Sequence, residues 1–119
     1  MAKILVVDDA AFMRLRACKL LTDAGHAVVE AENGRVAVEV YLRERPDAVL
    51  MDITMPEMDG LEALEAIRQH DPTARIVMLT AMGQQSIVID AIKRGASDFI
   101  IKPFAPDRVL AAVGKLIAT

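Results

Sequence analysis

Cysteine occurs once in the 119-residue chain, at Cys18, so no intrachain disulfide can form. Within an apolar helical stretch a packed thiol is the expected state, and a reducing cytoplasm suits it. Tryptophan is absent, and the aromatics are confined to Phe12, Tyr41, Phe99 and Phe104, which offers no platform for stacking bases. Basic residues are not in excess either. Fourteen Lys and Arg against 17 Asp and Glu leave a net charge of -3, the wrong sign for tracking a phosphate backbone, so direct nucleic-acid binding is excluded. Apolar runs reach only about five residues, far short of a membrane span, and Met1-Ala2-Lys3 leads straight into the first run, so no signal peptide is expected. The glycines form no phosphate-cradling loop after that run, and no P-loop occurs. His26 and His70 lack metal-site spacing and are expected at element ends.

What the chain does have is 54% hydrophobic residues, enough for one core and one domain spanning 1-119. Strand and helix signals alternate throughout. Strands are expected near 3-8, 27-31, 48-52, 75-80 and 98-102, and helices near 10-24, 34-44, 60-69, 84-94 and 106-117. In the first helix Met13, Ala17, Leu20, Leu21 and Ala24 share a face, with Gly25 as the stop. Asn33-Gly34 and Pro46 bracket the second. Asp59, with Glu62 three residues on, is the expected N-cap of the third, and Pro106 suits the first turn of the fifth. Five such units imply an α/β fold with right-handed crossovers and helices on both faces of a parallel sheet.

Charged residues close the apolar runs. Asp8-Asp9 follow Ile4-Leu5-Val6-Val7, Asp52 follows Ala48-Val49-Leu50-Met51, and Lys102-Pro103 follow Phe99-Ile100-Ile101. Runs apolar on both faces suit buried parallel strands, and ligands of such sheets bind beyond the carboxyl ends. Asp8, Asp9 and Asp52 are therefore expected at one site. At about 4 Å and an effective dielectric near 20, each like pair costs roughly 4 kcal/mol. The relief is a raised pKa or a bound cation, and oxygen ligands with room for water suit Mg2+.

Asp8-Asp9, Asp52, Thr80-Ala81 and Lys102-Pro103, in that order and at strand ends, resemble the signature set of the response-regulator receiver domain. The resemblance covers the whole chain. The longer stretches Asp8 to Arg14, Met51 to Gly60 and Ala81 to Gln85 are similar in particular to the stand-alone chemotaxis regulators of that family. It implies a doubly wound, flavodoxin-like five-stranded sheet in the order 2-1-3-4-5, an order that the spacing itself does not yield. It also implies that Asp52 accepts a phosphoryl group from a histidine kinase. Asp9 and Asp52 would bind Mg2+ through carboxylates, Thr54 through its backbone carbonyl, and Asp8 mainly through water. Thr80 and Lys102 would contact the phosphoryl oxygens, Ala81 would leave room for them, and Thr54 and Met82 would adjust water access. Thr80 and Phe99 would form the switch, read out on the face of the fourth helix, fifth strand and fifth helix. The partners implied are a chemotaxis-type histidine kinase, a flagellar motor switch protein or other target, and a phosphatase.

The residues taken singly have plainer readings. Asp at a strand end is ordinary turn chemistry, Thr80 suits a helix cap, and Phe99 suits a core. The combination favours the phosphorylation switch. A phosphatase of the haloacid-dehalogenase type resembles Asp-x-Asp, and Thr54 stands where its second carboxylate would serve as acid-base. A flavin site finds no support. A relay shuttle, or a receiver excised from a longer transcriptional regulator, stays open beside the chemotaxis reading. In the fourth helix Ile87, Val88, Ile89, Ala91 and Ile92 cover more than one face, so some apolar area should meet solvent, and only a contiguous patch would argue for docking.

Overall fold

The computed structural model describes residues 2–53, 58–81, 85–102 and 104–117, apart from the side chains of Ala81 and Gln85. Ten elements alternate along the chain: β1 (Lys3–Val7), α1 (Ala11–Asp23), β2 (Ala27–Ala31), α2 (Gly34–Glu44), β3 (Ala48–Asp52), α3 (Gly60–His70), β4 (Ile76–Ala81), α4 (Gln85–Lys93), β5 (Asp98–Lys102) and α5 (Pro106–Ile117). The strands form one parallel sheet in the order β2-β1-β3-β4-β5. This is the implied doubly wound topology.

Side chains alternate across each strand, so every central strand feeds two cores. Leu5, Val7, Val49, Met51, Ile76 and Met78 join Ala37, Val40, Leu64, Ile67 and Ala91 in the layer under α2, α3 and α4. Ile4, Val6, Ala48, Leu50, Val77, Leu79 and Ile100 join Ala17, Leu21, Val109 and Val113 under α1 and α5. All five residues of β3 are buried. The outer strands are less covered, and β5 departs from the expectation of a run buried on both faces. β2 is largely open, and Ile101 of β5 is 48% exposed, because an edge strand has only one neighbour and helices cover it incompletely.

The helix ends carry most of the expected chemistry. Asp59 and Glu62 make reciprocal capping bonds, Glu62 N to Asp59 Oδ1 at 3.0 Å and Asp59 N to Glu62 Oε1 at 3.3 Å. Asn33 Oδ1 accepts from Val36 N at 2.9 Å to cap α2. Ala24 caps α1 in an exposed position rather than sharing its buried face, and Gly25 takes the left-handed φ of 95° that ends the helix. His26 and His70 do lie at element ends, His26 Nδ1 accepting from Ala2 N at 3.2 Å.

Candidate functional site

Register brings the charged residues to one edge. Val7 pairs with Met51, so Asp8 and Asp52 stand in the same row, one residue on. Asp52 pairs with Leu79, and Leu79 with Ile100. Lys102 lies two residues beyond Ile100 and shares its side of the sheet, which lets a four-carbon stem reach back along the edge. Its Nζ stands 3.1 Å from Asp52 Oδ1 and 3.4 Å from Asp8 Oδ2. Asp9 completes the group, and carboxylate oxygens of Asp8, Asp9 and Asp52 lie within 4.8 Å of one another.

The three acids sit in different surroundings. Asp52 and Asp8 are buried, whereas Asp9 is exposed. Burial pushes the Asp52 carboxyl above its usual range; the Lys102 ammonium opposes this, and the charges of Asp8 and Asp9 add to it. Asp8 is held from several sides. Its N–H donates to Ala31 O at 3.2 Å, and its Oδ1 accepts from Ala10 N at 2.9 Å. Its carbonyl accepts from Arg14 Nη1 at 2.7 Å. Ala10, the N-cap of α1, supplies no side-chain cap.

Thr80, the residue after Leu79, is buried and follows Met78 in alternation. Phe99 pairs with Met78 and packs against the core layer under α2, α3 and α4. The two expected switch residues thus share one side of the sheet, while Asp8, Asp52 and Lys102 project from the other. Ala81 pairs with Lys102 in register, but its side chain lies outside the described residues. So do Thr54, with the backbone carbonyl expected to bind metal, and Met82.

Several supports of the site are not legible as motifs. Gly60 N donates to Ile53 O at 2.7 Å. A Cβ on Gly60 would overlap the Asp52 carbonyl oxygen and stand 2.7 Å from Ile53 Cα, so only glycine lets α3 start against the end of β3. Gly34 does the same for α2. Its N–H donates to Met58 O at 3.1 Å, and a Cβ there would overlap that oxygen. Met58 itself has a φ of 76°. The start of α2 is therefore packed against the backbone of Met58, just ahead of α3. The dipeptides Asn33-Gly34 and Asp59-Gly60 were visible as helix starts, but nothing in them reveals which backbone approaches.

Cys18 plays no part in this chemistry. Burial and the neighbouring Glu30 carboxylate push its thiol up to about 11, the state of an inert packed cysteine.

The donor set fits a hard divalent cation. It consists of oxygen atoms only, two carboxylates are buried, and the third opens to solvent, where a hydrated ion can keep waters. Among the described residues no other group of three or more His, Cys, Asp or Glu offers such ligands. No described helix is long and apolar enough to cross a membrane.

Acids and a lysine at the carboxyl edge of a 2-1-3-4-5 sheet define a class. The chain belongs to the response regulator receiver domain family, whose profile matches residues 4–114, a family of signalling switches rather than of classical enzymes. More particularly, it is similar to chemotaxis protein CheY. It is 60% identical to the Bacillus subtilis (strain 168) protein of that name over 116 residues, with 97% of each chain covered. With the Thermotoga maritima protein the figures are 55% over 115 residues, covering 96% of each. Among solved structures, the receiver domain of NtrX from Brucella abortus superimposes with a TM-score of 0.93 at 34% identity, 98% of each chain being covered. A response regulator receiver domain protein from Clostridium thermocellum reaches 0.95 at 28%, covering 99% of this chain and 95% of that one.

Proposed function

We propose that Asp52 accepts a phosphoryl group from a histidine kinase and that the phosphorylated chain binds a downstream target, in the setting of bacterial chemotaxis. The observation that carries the reading is the ion pair of Lys102 with Asp52 beside Asp8 and Asp9, in a chain 60% identical to a protein named for chemotaxis.

A carboxylate oxygen of Asp52 attacks phosphorus, the phosphorus–nitrogen bond to the donor imidazole breaks, and the electron pair leaves with that ring, which is then protonated. Lys102 supplies a compact positive charge to the transferred oxygens. Mg2+ held by Asp9 and Asp52, by the Thr54 carbonyl and by Asp8 through water would neutralise charge on acceptor and donor alike.

Phosphorylation adds about -1.5 to -2 charge, and a hydrogen bond to a charged group is worth about 1.5–3 kcal/mol. Drawing the Thr80 hydroxyl toward the new oxygens is enough to bias two nearly balanced conformers, since a tenfold shift requires only about 1.4 kcal/mol. Phe99, on the same side of the sheet, carries the change toward α4, β5 and α5. On that face Ile89 and Ile92 are 55% and 51% exposed, as expected of a helix too apolar to bury every side. The target in chemotaxis would be a flagellar motor switch protein, the kinase one of the chemotaxis type, and a phosphatase would reset the state.

Incubation of wild type and Asp52→Asn with acetyl phosphate and Mg2+, read by intact mass, tests the assignment. Wild type should gain one phosphoryl group and Asp52→Asn none. Undiminished labelling of the variant would remove Asp52 from its role. Back-transfer from Asp52 to a histidine of a third protein would mark a relay shuttle instead.

A further inference from the structure

We propose that Arg14 is a positioning residue of the cation site, acting through the backbone of Asp8 and aligned by Glu30; the inference rests on the reading of Asp8, Asp9 and Asp52 as a Mg2+ site. Arg14 lies in the first turn and a half of α1, five residues past Asp9. Its Nη1 donates to Asp8 O at 2.7 Å, and its Nε donates to Glu30 Oε1 on β2 at 2.9 Å. The Arg14 side chain is 19% exposed and that of Glu30 53%, so the bond to the Asp8 carbonyl is the shielded half of the clamp and the carboxylate that aligns it meets solvent.

The peptide that Arg14 grips joins Asp8 to Asp9. The connection from β1 to α1 is only three residues long, and two of them contribute the acids at the sheet edge. Bonds from Asp8 N to β2, from Ala10 N to Asp8 Oδ1 and from Lys102 to Asp8 Oδ2 fix one side of that turn. Arg14 fixes its carbonyl, and with it the plane from which Asp9 departs. Asp9 is the exposed member of the cluster and is repelled by the other two. A turn held at its carbonyl resists the outward relaxation that this repulsion favours, so the acids keep the spacing a small cation demands.

Charge alone does not account for the arrangement. Glu30 pairs with Arg14 at 2.9 Å and offsets part of its charge. What remains is geometry. A planar guanidinium can donate from Nε and Nη1 in two fixed directions at once, and an ammonium cannot hold that fork. Outer-shell partners of metal ligands typically contribute 10–100-fold to metal affinity.

The test is a Mg2+ titration of the full chain by calorimetry, with Asp9→Asn as the ligand-loss control, on wild type, Arg14→Lys, Arg14→Ala and Glu30→Gln. Thermal unfolding of each variant verifies its fold. Arg14→Ala should weaken Mg2+ binding about tenfold, Arg14→Lys should fail to restore it, and Glu30→Gln should weaken it less. Labelling by acetyl phosphate should need more Mg2+ for half-saturation, with a smaller change in the rate at saturation. Amide exchange at Asp9 and Ala10 without metal should accelerate in Arg14→Ala and Arg14→Lys. Unchanged affinity in a folded Arg14→Ala, or full rescue by lysine, would overturn the positioning role alone. A wild type that binds no Mg2+, or binding unaffected by Asp9→Asn, would overturn the cation-site reading and this inference together.

Discussion

Asp9→Asn should stabilise the metal-free protein. Asp8, Asp9 and Asp52 make three like-charge pairs with oxygens no farther apart than 4.8 Å; at an effective dielectric near 20 each costs about 3.5 kcal/mol. Lys102 offsets this at 3.1 Å from Asp52 and 3.4 Å from Asp8, each attraction being worth about 5 kcal/mol on the same scale. Asp8 and Asp52 thereby recover most of what they lose. Asp9 enters two of the three repulsions, and the Lys102 ammonium is engaged by the other two acids. Its removal would relieve about 7 kcal/mol before screening, and solvent around an exposed carboxylate reduces that to about 1–2 kcal/mol. For a domain of this size the melting temperature should rise by about 4–8 °C. Asp8→Asn should gain much less, because it also gives up the ion pair with Lys102. The assay is circular-dichroism melting at low salt in chelator, repeated in 0.5 M salt at about half the Debye length of physiological buffer, and repeated with Mg2+. The Asp9→Asn advantage should shrink in salt, and Mg2+ should stabilise wild type more than the variant. An Asp9→Asn protein that melts at or below wild type in chelator, or whose gain ignores salt, would refute the electrostatic account.

Thr80→Ala should still accept phosphate on Asp52 but lose most of the phosphorylation-induced gain in partner affinity, because the donor that distinguishes the two conformers is gone. Phe99→Ala should act alike, at a stability cost below the about 3–5 kcal/mol of a fully buried phenylalanine, since Phe99 is only partly buried. A double-mutant cycle on partner binding should find the losses non-additive, and fully additive losses would route the signal elsewhere. Acid stability should follow two carboxylates of opposite sign. The Thr73 hydroxyl, then the Tyr41 hydroxyl at 2.7 Å, hold Asp71 down at about 2. Its contribution is complete above an unfolded value of about 3.9 and is lost as pH falls toward about 2. Tyr41→Phe should narrow that window, which carbon-13 titration of the Asp71 carboxyl would show as an upward shift. Asp52, raised by burial, should do the reverse, costing stability as pH climbs from about 3.9 through its folded value. Asp52→Asn should abolish that slope in the apo protein, and an unchanged slope would deny the raised value.

The alternation of apolar runs with helical spacing was enough to order all ten elements, because parallel strands between helix layers must be apolar over their length while each helix is apolar on one face. Caps such as Asp59 with Glu62 were legible because their partners lie three residues away. The same locality made Asp8, Asp9, Asp52 and Lys102 visible as strand-end residues, although the sheet order rested on resemblance. What tertiary structure alone decided were meetings between residues far apart in the chain. Lys102 reaching both Asp52 and Asp8, Arg14 turning back to the Asp8 carbonyl under the hold of Glu30, and Gly34 admitting Met58 depend on which strands become neighbours and how closely backbones approach. The exposure of Ile101 and the openness of β2 have the same origin. Whether a strand lies at the centre or the edge of a sheet is a property of the whole fold, and an apolar run reads alike in either place.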